Sequence, residues 1–356
     1  MIHRRTSIFG AIGAALLATT LTAQTTVNVV SNIDNTLYED LAGATSNGAG
    51  TSVFCGLTGG ASIRRALLRF DVAGSVPAGA SIVAVSLSMN VGQSNDTVPM
   101  ITDVHRVSRS WGEGTSVAVG GGGAGGTATT GDATWLHRFF NTTTWTTAGG
   151  DYVASRSATF PMPVIGPFTV PASPGLVADV QDWLNNPSTN FGWVLKAQDE
   201  TIAVTARRIN SREAASGRPT LAVTYLLPGQ SASWGTGCPT SFGNFSFTFT
   251  GSMVGGQTAF LSHTNGPANS LAINIFALEL NQPGIDLLPG CTVYLPASGA
   301  WITGFGFVID GAGVGTLPWP LPTAYPGLYF MSQTVAIDPA APLGFVLSNA
   351  GVGVIQ

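Results

Sequence analysis

The chain carries two acidic side chains five residues apart near its start, in the stretch DNTLYED (34–40). Asp34 and Glu39, joined by Asp71 or Asp179 from neighbouring strands, would offer carboxylate oxygens, the ligands that Ca²⁺ prefers. Their spacing does not match an EF-hand loop. A structural calcium ion is therefore one prediction, and direct sugar contact, a turn cap and a solvent-facing strand are the alternatives.

Basic side chains form a second candidate site. Arg65 and Arg69 share one face of an alternating segment, and Lys196 and Arg208 lie in segments expected to join the same sheet. A guanidinium binds a carboxylate through two parallel hydrogen bonds, so these side chains on one concave face would bind an anionic polysaccharide. The alternative is ordinary surface ion pairs with acids such as Glu200, each contributing about 0–1 kcal/mol.

Three tryptophans, Trp111, Trp135 and Trp145, flank or enter a glycine-rich segment (112–135). Carbohydrate-binding proteins stack aromatic rings on the apolar face of a sugar, so these rings could form a binding platform. Burial of the rings is the alternative. The segment itself is expected to be too polar and too rich in glycine to pack.

Sequence motifs of the common hydrolases do not occur: GxSxG and HExxH are absent, and GGGGAGG is not followed by the Lys-Ser/Thr of a phosphate loop. Asp132, His137, Arg138 and Tyr152 could be placed in a lyase-like arrangement, but no pair of acids indicates a glycosidase. These observations favour binding over catalysis, with a polysaccharide lyase or hydrolase as the least favoured class.

The amino-acid composition favours sandwiches of short β-strands over long surface helices. Only 9% of the 356 residues are charged, 46 are glycine, and Lys196 is the single lysine. Long surface helices need more charge than this, whereas sandwiches of short strands do not. The net charge of −4, without a basic stripe, argues against a nucleic-acid partner.

Residues 1–23 have the layout of a secretory signal peptide. Arg4 and Arg5 precede an apolar run from Ile8 to Leu17, which is too short to span a bilayer. We therefore expect a secreted or cell-surface protein without a membrane span. In that oxidising compartment Cys238 and Cys291 are expected to form a disulfide, and Cys55 is expected to be a buried apolar residue.

Period-2 alternation and turn residues predict an all-β chain with a jelly-roll-type antiparallel sandwich in residues 25–227 and a smaller β-sandwich in residues 228–356. The boundary follows the charge distribution, since no Lys or Arg occurs beyond Arg218. One helix is predicted at 175–186, and Trp183 and Trp193 are predicted to be core residues.

Several motifs of the first part, in order, resemble DNRLRE (disaggregatase-related) domains. These motifs are DNTLYED, RRALLRFDVAGSVPAGASIVAVSLSM, VHRVSRSWGEGT, VADVQDWLNNPSTNFGWVLK and INSREAASGRPTLAVTY. Thr36 and Tyr38 stand where the family name has arginine. The family includes alginate-recognising carbohydrate-binding modules, so the resemblance implies a jelly roll that binds polysaccharide.

The C-terminal part, with GTGCP and PGCTVY, resembles an uncharacterised module of secreted bacterial proteins, from which no activity follows. Together, these observations predict a secreted, non-catalytic polysaccharide-binding protein for an acidic or cell-surface glycan. A structural or adhesive surface protein without a sugar site is the alternative. The glycan and the oligomeric state stay open.

Overall fold

A computed structural model describes residues 24–356 of the chain, so the predicted signal peptide lies outside the described part. The described residues form antiparallel sheets with one α-helix and one 3₁₀ turn, which confirms the all-β prediction. Strands up to Leu226 pair only with one another, and so do strands from Ser231 onward. We call these two sets the first and the second sandwich.

The first sandwich contains fourteen strands and the helical elements. The strands are β1 (Thr25–Tyr38), β2 (Thr45–Ser46), β3 (Ser52–Leu57), β4 (Ile63–Phe70), β5 (Ser81–Ser94), β6 (Met100–Val107), β7 (Gly126–Thr127), β8 (His137–Phe139), β9 (Thr143–Thr144), β10 (Tyr152–Met162), β11 (Gly166–Val170), β12 (Trp193–Ala197), β13 (Arg207–Asn210) and β14 (Thr220–Leu226). The helix α1 spans Pro174–Asn185, and the 3₁₀ turn spans Pro187–Thr189.

Two sheets of the first sandwich share strands β1 and β3. Sheet A adds β5, β11, β13 and β14, and sheet B adds β4, β6, β10 and β12. The first half of β1 pairs with β14, and its second half, which carries the acidic stretch, pairs with β4 after a bulge between Ser31 and Ile33. The acidic stretch therefore begins within sheet B, where most residues of its partner strand β4 are buried.

The core between the two sheets is apolar, and α1 closes one side of it. Trp183 and Trp193 are both 0% exposed, as predicted, with ring centroids 4.6 Å apart. Ser173 caps the helix because its hydroxyl accepts from the Leu176 N–H at 3.3 Å. Truncating one of these tryptophans would cost about 3–5 kcal/mol, the range for large core aromatics.

The glycine-rich segment packs on the first sandwich, so the prediction that it would not pack is wrong. The Tyr38 hydroxyl donates to Gly122 O at 2.8 Å, and β7 pairs with β2. A Cβ at Gly122, where φ is +79°, would lie 3.3 Å from the Phe54 ring. The absence of a side chain there lets the backbone approach the two aromatic rings closely.

The second sandwich contains twelve strands. They are β15 (Ser231–Trp234), β16 (Pro239–Thr240), β17 (Gly243–Asn244), β18 (Ser246–Gly251), β19 (Thr258–Thr264), β20 (Ser270–Ala277), β21 (Ile285–Leu288), β22 (Cys291–Val293), β23 (Trp301–Ile309), β24 (Gly315–Pro320), β25 (Tyr329–Ile337) and β26 (Phe345–Val354). Sheet C has the order β15-β26-β25-β20-β23, and sheet D has the order β18-β19-β24.

Apolar side chains from sheets C and D fill the second core. Phe247 and Phe249 of β18 are buried at 0% and 1% exposure. The predicted Cys238–Cys291 disulfide is confirmed, and Cys55 is a free, buried thiol in the first core. Burial raises the pKa of the Cys55 thiol to about 12, which removes the thiolate needed for nucleophilic chemistry.

Candidate functional site

The acidic stretch of β1 ties three segments of the first sandwich together. Asn35 is 0% exposed, and its amide nitrogen donates to Glu113 O at 2.9 Å. Its amide oxygen accepts from the Thr36 N–H at 2.7 Å and from the Ser46 hydroxyl at 3.0 Å. The stretch is therefore buried and hydrogen-bonded, and a solvent-facing strand does not describe it.

Asp34 lies in a cluster of carboxyl groups with Glu113 and Glu213, whose nearest oxygens are all within 4.8 Å of one another. The Arg212 guanidinium binds Glu113 at 2.6 Å through both Nε and an Nη, and its backbone N–H donates to Asp34 Oδ2 at 2.7 Å. Burial raises the pKa of the Asp34 carboxyl well above its usual value and also raises the pKa of Glu213.

The cluster leaves carboxylate oxygens without donors. Asp34 Oδ1 and Glu213 Oε2 are buried and accept no hydrogen bond, whereas Glu213 Oε1 lies 2.9 Å from Arg212 Nε in an ion pair. Burial, the largest cause of the upward pKa shifts of Asp34 and Glu213, disfavours their charged forms, and Arg212 acts in the opposite direction. Calcium would also suit such oxygens, but it would meet the positive charge of Arg212 in the same cluster. Arg212 thus already supplies a positive charge to these carboxyl groups, which weakens their fit to a divalent cation.

The other acids considered for calcium have separate partners. Glu39 Oε2 accepts from the Ile63 N–H at 2.8 Å, and Asp71 Oδ1 accepts from the Gly74 N–H at 3.1 Å. Asp179 accepts from the Trp193 indole N–H at 2.7 Å. The structure does not bring these acids together with Asp34 into one group, and calcium binding stays a prediction.

Arg65 and Lys196 lie together around Glu200. Arg65 donates from Nε and an Nη to the two Glu200 oxygens at 2.8 Å and from its other Nη to Gly149 O at 2.7 Å. Lys196 Nζ lies 3.5 Å from Glu200. The Arg65 guanidinium also lies over the Trp135 ring, 4.9 Å from its centroid. Arg65 and Lys196 are therefore both paired with Glu200 and are not free to bind an anionic sugar in this structure.

The three tryptophans form a small separate apolar cluster on sheet B of the first sandwich rather than an exposed platform. Trp111, Trp135 and Trp145 are 4%, 8% and 5% exposed and pack around Leu37 and Leu67. The Trp145 indole N–H donates to a backbone carbonyl at 2.9 Å, and that of Trp111 does so at 2.8 Å. Stacking on a sugar would require this layer to open.

Arg69 and Arg208 lie on different sheets. Arg69 belongs to β4 of sheet B, where its Nε donates to Asn32 Oδ1 at 3.4 Å and partial burial lowers its pKa. Arg208 belongs to β13 of sheet A and is half-buried. The eight ion pairs found in residues 24–356 do not include Arg208. The four predicted sugar-binding cations therefore do not form one face.

Arg208 lines a groove formed by β5 and β13 of sheet A together with β3 and the start of β4, which we call the arginine groove. Its volume is about 300 Å³, and its lining residues are Phe54, Thr58, Gly59, Arg64, Gln93, Ser94, Asn95, Gly121, Gly123, Val204, Ala206 and Arg208. A hollow of about 340 Å³ adjoins it and shares Gly121 and Arg208. Neither lining contains a carboxylate.

Arg64 fixes one wall of the arginine groove. Its Nη1 donates to the Ser62 hydroxyl at 2.6 Å, and its Nε and Nη2 reach Gly123 O at 3.3 Å. The guanidinium lies 4.7 Å from the centroid of the Tyr38 ring. Burial lowers the pKa of Arg64, yet an arginine keeps its charge at any physiological pH. The groove thus combines the guanidinium of Arg64, which is fixed by hydrogen bonds, with that of Arg208, which forms no ion pair within residues 24–356.

Sequence reasoning found Arg208 but missed its groove partners Arg64, Phe54, Gln93 and Asn95. Arg64 directly precedes Arg65, so strand alternation assigns it to the opposite face, and this was its only signal. The glycine-rich segment gave no indication that it would cover Phe54.

Comparison with known proteins does not assign the chain: no family profile matches it, and no curated protein matches its sequence. Within residues 24–356, no helix has the length and apolar character needed to cross a bilayer. The functional interpretation therefore depends on the residues of the groove itself.

Proposed function

We propose that the protein is a secreted, non-catalytic polysaccharide-binding protein whose arginine groove holds an acidic glycan. The observation that carries this proposal is the groove lining, which combines Arg64 and Arg208 with amide and hydroxyl side chains and contains no carboxylate. A guanidinium forms short, charge-assisted hydrogen bonds with a carboxylate or sulfate group. An acidic sugar would therefore find donors there and no opposing charge.

The neutral lining supports binding of the sugar hydroxyls. Gln93 and Asn95 offer amide donors and acceptors, and Thr58 and Ser94 offer hydroxyls. The adjoining hollow adds the amide side chains of Asn47 and Asn210. Because both spaces share Arg208, a chain of sugar units could pass from one to the other with an acidic group at the junction.

The proposal is tested by affinity electrophoresis of the chain without its predicted signal peptide, in gels containing a polyuronate or a neutral glucan. We expect retardation by the polyuronate only. Arg208→Ala should weaken binding about tenfold or more, because a hydrogen bond to a charged group contributes about 1.5–3 kcal/mol. Running the gels with Ca²⁺ and with a chelator also tests the calcium prediction.

Arg69→Ala is the matched control, since Arg69 is a half-buried arginine that does not line the groove. It should change the retardation less than about twofold, the scale of a distant surface substitution. Equal loss in both variants would contradict the groove. The absence of retardation by any polymer would favour a structural or adhesive protein.

The structural or adhesive alternative has one observation in its favour. Large apolar side chains are exposed on the second sandwich, among them Ile302 at 70% and Leu278 at 68%. Contiguous exposed apolar surface commonly marks a site of interaction.

A further inference from the structure

An apolar pocket of about 500 Å³ opens between sheets C and D of the second sandwich. Its lining residues are Phe276, Ala277, Leu278, Ala300, Trp301, Ile302, Thr303, Gly304, Phe305, Trp319, Pro322, Leu328, Phe330 and Ile355. It lies where β23 and β24 are the last strands of their sheets. The volume falls within the range of small-molecule pockets.

The floor of the apolar pocket is aromatic, and its mouth is exposed. Phe276 and Phe330 are buried, and each has its ring centroid 4.9 Å from that of Trp319. At the mouth, Ile302 and Phe305 are 70% and 51% exposed. A slender apolar molecule could therefore enter between exposed side chains and reach a buried aromatic surface.

The charge of this region limits the chemistry of the occupant. No lining residue is charged, and residues 229–356 contain no Lys or Arg. Glu279 directly follows the lining residue Leu278 in the chain, and a carboxylate there would disfavour an anionic head group. The buried part of the occupant must be apolar, and the part near the mouth must not be an anion.

The concave shape of the apolar pocket favours an alkyl chain over a strand from a second copy of the protein. A strand from a second copy, added to the free edge of β23, would satisfy its backbone groups but would leave the space between the sheets unfilled. An alkyl chain would fill it and remove both its own surface and the aromatic floor from water. We propose that the apolar pocket binds the alkyl chain of an uncharged lipid, independently of the arginine groove.

The proposal is tested with the fluorophore 1-N-phenylnaphthylamine, competed with monomeric 1-dodecanol. We expect the protein to enhance its fluorescence and dodecanol to reverse the enhancement. Ile302→Lys should weaken binding about tenfold or more, because a charge at the mouth opposes burial of an apolar chain. Neutral phosphatidylcholine vesicles, added in a flotation assay, show whether the chain is taken from a membrane or only as free monomer.

Val308→Lys is the matched control, because Val308 lies on the same strand, is 63% exposed and does not line the pocket. It should change binding less than about twofold. If Ile302→Lys does not fold, a second pair replaces it. Leu278→Lys changes a lining residue just after β20, and its control, Leu271→Lys, changes a residue of β20 that does not line the pocket. Failure of dodecanol to compete would overturn the proposal, as would equal losses in both members of each pair together with a concentration-dependent dimer.

Discussion

The two sandwiches satisfy their buried polar groups by different means. All eight ion pairs of residues 24–356 lie in the first sandwich. The second sandwich lacks Lys and Arg and buries neutral groups instead. Gln333, for example, is 0% exposed, accepts from the Tyr294 N–H at 2.9 Å and donates to Thr292 O and Ser348 O at 2.8 and 2.7 Å.

This difference shows how two β-sandwiches can present different surfaces, one with arginines and one that is apolar. Buried charges must each keep a partner, so the first sandwich is held by specific pairs and retains arginines that can bind anions. Neutral networks need no counter-charges, so the second sandwich can expose an apolar pocket that has no charged lining residue. The same contrast predicts different responses to substitution, reduction and pH.

The largest effect is expected at Arg207, which is 0% exposed and donates to Asp96, Val98 O, Thr205 O and Pro163 O. Arg207→Met should lower the free energy of unfolding by about 3–5 kcal/mol, because it leaves a carboxylate and three carbonyls without their donor. Urea denaturation measures the change. Arg208→Met on the adjacent position should cost less than about 1 kcal/mol, and a comparable loss there would contradict the assignment of Arg208 to binding.

Removal of the disulfide should affect the second sandwich alone. Cys238 and Cys291 are 53 residues apart, and the Cys238→Ala/Cys291→Ala variant should lose about 2–4 kcal/mol, a typical contribution for a native disulfide. Hydrogen exchange should show faster exchange within 231–355 and unchanged protection in β4 and β12. Equal loss of protection in both sandwiches would show that they unfold as one unit.

Acid should destabilise the second sandwich through His263. This side chain is 1% exposed; its Nδ1–H donates to Gly315 O at 3.2 Å, and its Nε2 accepts from the Thr334 hydroxyl at 2.8 Å. Burial lowers its pKa to about 4, so the unfolded state binds the proton more tightly. Stability present above about pH 6.5 should fall by about 3 kcal/mol as the pH approaches 4.

Asp34 should give the first sandwich the opposite dependence. Its folded pKa is raised by burial, so its contribution to stability is present at low pH and is lost as the pH rises through that folded pKa. Melting curves of His263→Gln and Asp34→Asn against pH would separate the two. Each substitution should remove one of the opposing slopes, and an unchanged profile in either variant would contradict the corresponding account.

The smallest effect is expected at Arg156, whose side chain is 54% exposed although it lies 2.8 Å from Asp103. Arg156→Ala should lower the free energy of unfolding by about 1–2 kcal/mol, less than Arg207→Met. Asp103 is only 2% exposed, but it keeps hydrogen bonds from Thr159 and Gln198 when Arg156 is removed. The same urea titration measures the change. A loss as large as that of Arg207→Met would mean that burial of the arginine does not decide the contribution of these ion pairs to stability.

The sequence predicted elements whose signal is local. Alternation in β4, helical spacing before Asn185 and the apolar periods around Trp183 and Trp193 all led to correct assignments. Alternation does not predict the edge strand β24, because its two prolines weaken the strand pattern.

The candidate site depended on contacts that are distant in sequence. Glu113 and Glu213 meet Asp34 from 79 and 179 residues away, and no local pattern announces such a cluster. Arg208 was a candidate, but its groove depends on the glycine-rich segment folding onto Phe54, which glycine content alone does not reveal. The burial of Trp135 likewise depends on a long connection folding back over sheet B.

The central claim is that an acidic glycan binds at Arg208 in the arginine groove. Hydrogen exchange of the chain with and without a saturating uronate oligosaccharide tests it most directly. We expect new protection in residues 54–64, 93–95, 121–123 and 204–208, and loss of that protection in Arg208→Ala. Protection confined to the surface around Glu200, or anywhere on the second sandwich, would contradict the claim.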